Sequence, residues 1–426
     1  MSAGVSAASM DERLAADGLP SLPRRVWAEI DESALAGNLA AVRELIGPRV
    51  ELNAVIKADA YGHGLVPAGR VFEQAGADRL CVAGIDEAAA LRGAGIALPI
   101  LILFPIPVGE VARAARSRFE IVAADRTTIL ATLAAWSETR GAGDPELLVH
   151  LEVETGLARG GFKPDDVAPI ARRIAATPGV RLASLWSHLA RSDDPPTTDA
   201  QVAGFERASD AVRAAGLPLP PRHLAATGGL FAGQVDHYEG VRVGLALYGL
   251  MPAGFPVADS ARSAFARLRP AMAVKCQALR VETFAAGTPV SYGGLWTTQR
   301  PSHIATLPIG YGDGWVRAYS PLAGALVRGH KVPLVGSVAM DAVMADVTDV
   351  GDVGTDDEFV LIGSQGEAAV VTNELARART TIPWEVVTSM AYRLPRVYHA
   401  GPVLKGLRTL AGEARVGSTA GLNGAL

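Results

Sequence analysis

Short apolar runs alternate with amphipathic stretches along the first half of the chain. The runs 26–30, 52–56, 80–83, 100–104, 121–124, 147–153, 182–186 and 223–226 have strand length and are rich in Val, Ile, Leu and Ala. Between them apolar residues return at helical spacing. In 31–46, Leu35, Leu39, Val42 and Ile46 share one face and Asp31 stands where a cap is wanted. This alternation predicts an α/β fold, a parallel (β/α)8 barrel of the TIM type, because parallel strands need helical crossovers and bury both faces. A doubly wound sheet competes, but no Gly-x-Gly-x-x-Gly follows the first run. Near 252–269 the pattern breaks into Pro-, Ala- and Arg-rich sequence. Shorter runs follow, at 271–279, 303–308, 325–327, 343–347 and 359–362, closely punctuated by glycine turns, and they predict a mostly β second domain. The expected boundaries are a loose tail over 1–24, the barrel over 25–262, the β-rich domain over 263–410 and a second loose tail over 411–426.

Composition narrows the functional classes. A chain of 426 residues suits two domains with substantial cores. Net charge is only −4 and the basic residues are scattered, which argues against nucleic acid and acidic membranes as partners. Cys81 and Cys276 lie far apart in apolar stretches, so neither a disulfide framework nor a zinc ligand set is expected, and no metal site is predicted. The first two dozen residues lack a basic start and a long apolar core, unlike a secretory signal. The apolar stretch 99–108 is too short for a membrane span and is interrupted by Pro105 and Pro107. A cytoplasmic location is expected.

Candidate chemistry gathers at the ends of the predicted strands, where a barrel enzyme keeps its site. Lys57 ends the second run and opens Lys57-Ala58-Asp59-Ala60-Tyr61-Gly62-His63-Gly64. Burial there would lower the lysine pKa and free an amine for covalent chemistry. On this segment alone, a lysine that snorkels at a strand end stays open. His188 ends the seventh run, and Thr227-Gly228-Gly229 ends the eighth with a hydroxyl and backbone N–H groups that suit a phosphate. Arg242 sits in an otherwise apolar run ending at Gly249, and a buried guanidinium needs acceptors.

Six segments, Lys57 to Gly64, Glu154 to Gly160, Arg242 to Gly249, Ser291-Tyr292-Gly293, Gly310 to Gly314 and Met340-Asp341, resemble those of alanine racemases in order and spacing over most of 25–400. The resemblance implies a pyridoxal 5'-phosphate enzyme with a barrel, a β-rich C-terminal domain and a head-to-tail homodimer whose active sites draw on both subunits. Lys57 would hold the cofactor covalently and act as the base on one face of the substrate Cα. Tyr292, from the partner subunit, would act on the other face in contact with His188; inversion needs two opposed acid/base groups. Arg242 would face the pyridine nitrogen, while Tyr61, Thr227, Gly244, Leu245 and Tyr392 would hold the phosphate. Arg159 and the backbone near Met340 would bind the substrate carboxylate, and Tyr311 and Asp341 would line the substrate side. Each residue also has a structural alternative: His188 a satisfied core histidine, Arg242 a buried ion pair, Arg159 a solvated loop residue, Tyr292 and Tyr311 ordinary turn and packing tyrosines.

This chain departs from the family pattern at several positions. Glu152 replaces a lysine, often carbamylated, seven residues before Arg159, and alternation along its strand places His150 and Glu152 on the barrel side. A direct carboxylate there would orient Arg159 as a carbamate does; the alternative is that Glu152 is too short to reach. Ala339 replaces a cysteine, Ala226 an asparagine, and Thr227 the commoner serine. The expected activity is interconversion of L- and D-alanine, supplying D-alanine for peptidoglycan. The alternatives are a racemase of another small amino acid such as serine, a decarboxylase on the same architecture, and a non-catalytic pyridoxal-phosphate-binding protein.

Overall fold

The chain divides into two compact units, Leu35–Arg269 and Met1–Ala34 joined with Pro270–Leu426; a computed structural model describes residues 9–417 of them. The tail residues 1–8 and 418–426 lie outside the described residues. Among the described residues, no helix is long and apolar enough to cross a membrane.

The first strand, β1 (Val26–Asp31), is not a barrel strand. In the first unit the closed parallel barrel consists of β2 (Glu51–Val55), β3 (Arg79–Val82), β4 (Ile100–Ile102), β5 (Phe119–Ala123), β6 (Leu147–Glu152), β7 (Val180–Trp186), β8 (Arg222–Ala226) and β9 (Gly240–Val243). The expected eight strands are thus corrected at both ends. β1 leaves the set and β9, in which the buried Arg242 interrupts the apolar run, closes the barrel against β2. Lys57 therefore follows the first barrel strand, His188 the sixth, Thr227 the seventh and Gly244 the eighth. Helices such as Arg126–Thr139 and Pro195–Ala214 link the strands, capped by Asp125 and Asp194, whose carboxylates accept the N–H groups of Thr128 and Thr197. Val55, Cys81, Leu101, Leu103, Val122 and Trp186 form an apolar cluster contributed by five segments of the barrel wall.

In the second unit β1 lies inside a twelve-stranded sheet, antiparallel to β10 (Met272–Gln277) and parallel to the strand Arg396–Ala400. Nearly all of β1 is buried, which is why its composition resembles that of a barrel strand. The stretch 9–24, expected to be loose, includes the helix Met10–Ala16. Ser9 and Glu12 form a capping box, and Met10, Leu14 and Leu19 pack with Trp27, Val397, Leu404 and Leu407. At the other end Gly412–Arg415 pairs with Val403–Thr409, and Arg415 forms an ion pair with Glu32 at 2.7 Å. The described parts of both expected tails are therefore packed, because a few apolar and charged side chains in each find partners that composition does not reveal.

Candidate active site

The chain leaves β2 in an unusual conformation. Ala58, Asp59, Ala60 and Tyr61 have φ between 53 and 55°, a run of four left-handed residues without glycine. Each costs about 1–2 kcal/mol relative to the right-handed helix, so the surroundings must hold them. Glu87 does part of this: its carboxylate accepts the N–H of Ala58 at 2.7 Å and of Ala83 at 2.8 Å. Asp59 accepts the N–H of Leu65, His63 Nδ1 lies 3.0 Å from the carbonyls of Ala60 and Tyr61, and Tyr248 donates to the Val55 carbonyl. The turn sets Lys57 at the mouth of β2, partly buried, with Nζ 5.8 Å from the Phe104 ring centre. Burial pushes its pKa down and the Arg159 charge adds to that, against the opposing charges of Glu87 and Cys81. Reductive trapping of a small aldehyde on Lys57, followed by mass spectrometry across pH, is expected to rise to half its maximum below the ordinary lysine value of 10.5. Arg159→Ala should move that midpoint upward; a wild-type midpoint at the ordinary value would remove the basis for an activated amine.

Arg159 reaches the same ring, with Cζ 5.6 Å from the Phe104 centre. After β6 the chain loops out and returns through a bridge between Val153 and Phe162, which brings Arg159 Nη2 to 3.5 Å from Glu152 Oε1. The return needs Gly161 at φ +99°, where a Cβ would meet the Glu154 nitrogen at 2.8 Å. Glu152 therefore reaches its arginine as a loose ion pair. Burial raises the Glu152 pKa, and Arg159 works against that rise.

Arg242, on the last barrel strand, is buried, with its guanidinium 4.7 Å from the Trp186 ring. Its N–H groups donate to the carbonyls of Ser187 at 2.6 Å, His223 at 2.8 Å and Leu224 at 3.2 Å, and to Nδ1 of His188 at 3.3 Å and of His223 at 2.6 Å. Burial pushes the Arg242 pKa down to about 10. The same burial, with the charges of Arg242, Arg159 and Lys57, pushes His188 down to about 3, so this histidine is neutral at physiological pH. Its Nδ1 accepts from Arg242, which leaves its proton on Nε2.

Thr227, Gly244, Leu245 and Tyr61 form a neighbouring group. Thr227 Oγ1 accepts the N–H of Gly244 at 3.3 Å and of Ala246 at 3.4 Å, with Leu245 between them. A Cβ on Gly244 would stand 2.6 Å from Tyr61 Oη, so only glycine lets the phenol lie against this backbone. Tyr61, pushed up to about 12 by burial, keeps its proton and can donate it. A hydroxyl donor, a threonine hydroxyl and two backbone amides suit a phosphate, and a partly buried amine of lowered pKa suits an aldehyde. The chemistry of this donor set therefore fits pyridoxal 5'-phosphate.

The β-rich unit gathers the other expected residues on one framework. Tyr292 follows Ser291, which has φ 65°, in the turn of the hairpin Pro289–Val290 and Trp296–Thr297, and is 75% exposed. Ser291 donates to the Ser337 carbonyl, and Ser337 donates back to the Tyr292 carbonyl. Tyr311 and Gly312 donate their N–H groups to the carbonyls of Ala339 and Met340. The fully buried Asp313 accepts from Arg24 at 2.7 Å and Arg393 at 2.8 Å, and Arg393 reaches on to Asp341 at 2.5 Å. Tyr392 lies under the Arg408 guanidinium at 4.6 Å. Glu87, Phe104, Trp186, His223 and Asp313 were missed by sequence reasoning. Glu87 acts on backbone N–H groups and lies in no motif, while Asp313 lies inside the Gly310 to Gly314 segment but the arginines it holds are distant in sequence.

Comparison with known proteins gives the arrangement its relatives. The model of the alanine racemase N-terminal domain matches residues 30–252, and that of the C-terminal domain matches residues 271–398. An alanine racemase from Desulfosudis oleivorans is 39% identical over 387 residues, covering 88% of this chain and 97% of the relative. One from Synechocystis is 36% identical over 382 residues, covering 88% and 99%. The crystal structure of alanine racemase from Bacillus anthracis with bound L-Ala-P superposes with a TM-score of 0.83 at 28% identity, covering 91% of this chain and 98% of that one.

Proposed function

The chain belongs to the alanine racemase family, pyridoxal-phosphate-dependent isomerases that interconvert L- and D-alanine, and from that premise we propose that Lys57 and Tyr292 are its two opposed acid/base groups. The observation that carries this reading is Lys57: an amine with a depressed pKa, held by a strained turn at the end of a barrel strand. When bound, the cofactor supplies an electron sink that acidifies the substrate Cα–H. Lys57 holds the cofactor, then exchanges a proton with one face of Cα. Tyr292 serves the other face. Neutral His188, with its proton on Nε2, is suited to donate to the Tyr292 oxygen when that oxygen gives up its proton, which eases the phenol toward the role of base. Arg242, a donor only, would face the ring nitrogen and would discourage full ring protonation. Tyr61, Thr227, Gly244, Leu245 and Tyr392 hold the phosphate. Arg159 and the backbone near Met340 bind the substrate carboxylate through a planar fork and an amide, with Tyr311 and Asp341 beside them.

The same reading makes the protein a homodimer with shared sites. Tyr292, Leu295 and Met340 are 75%, 76% and 53% exposed in the β-rich unit, a degree of apolar exposure that favours association with a second copy. We place the enzyme in the cytoplasm, supplying D-alanine for peptidoglycan.

Chiral chromatography of L-alanine incubated with the pyridoxal-phosphate-loaded protein tests the activity. D-Alanine should form, more slowly with Lys57→Ala; serine should racemise less well than alanine, and comparable turnover of lysine or arginine would refute the substrate assignment. Glu152→Gln tests the departure at that position. If the carboxylate orients Arg159, KM for alanine should rise by roughly fivefold, the scale of a partly exposed ion pair, with kcat little changed. Unchanged KM and kcat would leave Glu152 without that role.

A further inference from the structure

Below Arg242 the barrel interior carries a line of polar side chains that the proposed reaction leaves unused. It runs from Arg242 through His223, Ser184 and His150 to Glu120, at the N-terminal ends of the strands. There, with Arg79, Glu51 and Glu239, Glu120 lines a cavity of about 250 Å³. His223 lies between Arg242 and Ser184, with Nδ1 2.6 Å from Arg242 Nη1 and Nε2 2.8 Å from Ser184 Oγ. Ser184 Oγ is 2.5 Å from His150 Nδ1, and His150 Nε2 is 2.8 Å from Glu120 Oε2. The same carboxylate oxygen accepts from Arg79 Nε at 2.7 Å.

The chemistry of the two ends decides where every proton lies. A guanidinium only donates, so His223 Nδ1 must accept and its proton must lie on Nε2, because burial and the Arg242 charge keep the ring neutral. His223 then donates to Ser184, whose single O–H is left to donate to His150 Nδ1. Burial keeps His150 neutral as well, so its proton lies on Nε2 and goes to Glu120. At the far end an ionised carboxylate only accepts. Four hydrogen bonds thus point the same way, and reversing any one would set donor against donor or acceptor against acceptor.

We propose that His223, Ser184, His150 and Glu120 form a relay of fixed polarity that positions Arg242 and extends the influence of the Glu120 carboxylate to it. They are positioning residues, since the group they act on is Arg242. All four side chains are buried, and aligned hydrogen bonds in a low-dielectric interior reinforce one another. The relay accounts for a guanidinium that stays fixed at the site while its hydrogen-bond acceptors are carbonyls and imidazoles.

This inference rests on the reading of Arg242 as a cofactor contact, and the test separates the two. Histidine-labelled, cofactor-free protein is examined first by 15N NMR. His150 and His223 should both be neutral with the proton on Nε2; a proton on Nδ1 of either ring, or a charged ring at neutral pH, would overturn the relay whatever the enzyme's activity. Ser184→Ala is then compared with Ser184→Thr, which keeps the hydroxyl, and with Glu120→Gln, which removes the far charge and serves if the serine variants do not fold. Ser184→Ala should alter both ring signals, shift the absorption maximum of bound pyridoxal phosphate and weaken its binding by about tenfold, the scale of a lost buried hydrogen bond. Ser184→Thr should restore all three, and Glu120→Gln should move the ring signals and the absorption maximum in the same direction as Ser184→Ala. Altered ring signals with unchanged cofactor spectrum and affinity would overturn the positioning of Arg242. Absence of racemisation by the wild type would count against the proposed function alone.

Discussion

Lys57→Ala is expected to lower racemisation by about 10⁴-fold or more, the combined scale of a lost covalent anchor and a lost acid/base group. The variant should lose reducible covalent attachment of pyridoxal phosphate, seen as the absence of a borohydride-stable adduct by mass spectrometry. Folding should survive, because the turn is held by Glu87, Asp59 and Tyr248, none of which bonds to the lysine amine. Removing a partly buried amine whose charge is disfavoured by burial also relieves a small desolvation cost, so thermal stability should not fall. A variant that kept more than about one per cent of wild-type turnover would be incompatible with an acid/base role at this position.

The second large effect belongs to Tyr292→Phe, with an expected loss of about 10²–10⁴-fold in kcat and little change in cofactor binding. Tyr292 is 75% exposed and its hydroxyl has no hydrogen-bond partner among the described residues, so removing the hydroxyl should leave the hairpin intact. The bonds that the Ser291 and Ser337 hydroxyls donate to the Ser337 and Tyr292 carbonyls do not involve the tyrosine hydroxyl. Because the proposed base comes from the partner, subunit mixing gives a sharper result than either variant alone. In hybrids of Lys57→Ala with Tyr292→Phe, one of the two sites combines an intact lysine with an intact tyrosine, and activity should return. No recovery despite proven subunit exchange would mean that each site is built within one chain.

Much of the candidate site is legible in the sequence because its groups lie in short motifs. The Lys57 turn, the Arg159 loop and the Arg242 strand each carry their chemistry within about ten residues, and glycines mark where backbone must come close, as at Gly244 against Tyr61. Strand alternation places Glu152 on the barrel side, and its burial and 3.5 Å approach to Arg159 agree with that register. The supporting groups were not legible. Glu87 holds Ala58 from 29 residues away and Asp313 meets Arg24 from 289 residues away, and no periodicity encodes such pairs.

By itself the sequence determined that a parallel (β/α)8 barrel precedes a β-rich domain, and which residue types sit at the strand ends, because burial periodicity and side-chain chemistry are local properties. Only the tertiary structure decided that β1 joins the β-rich sheet and β9 closes the barrel. A strand buried on both faces looks the same in either sheet until its hydrogen-bonding neighbours are known. Tertiary structure also decided the left-handed run from Ala58 to Tyr61, since four such residues are disfavoured locally and persist only where Glu87 and the neighbouring segments hold them. The line from Arg242 to Glu120 likewise exists only once β5, β6, β7, β8 and β9 stand side by side and turn polar residues from five separate segments into one interior chain.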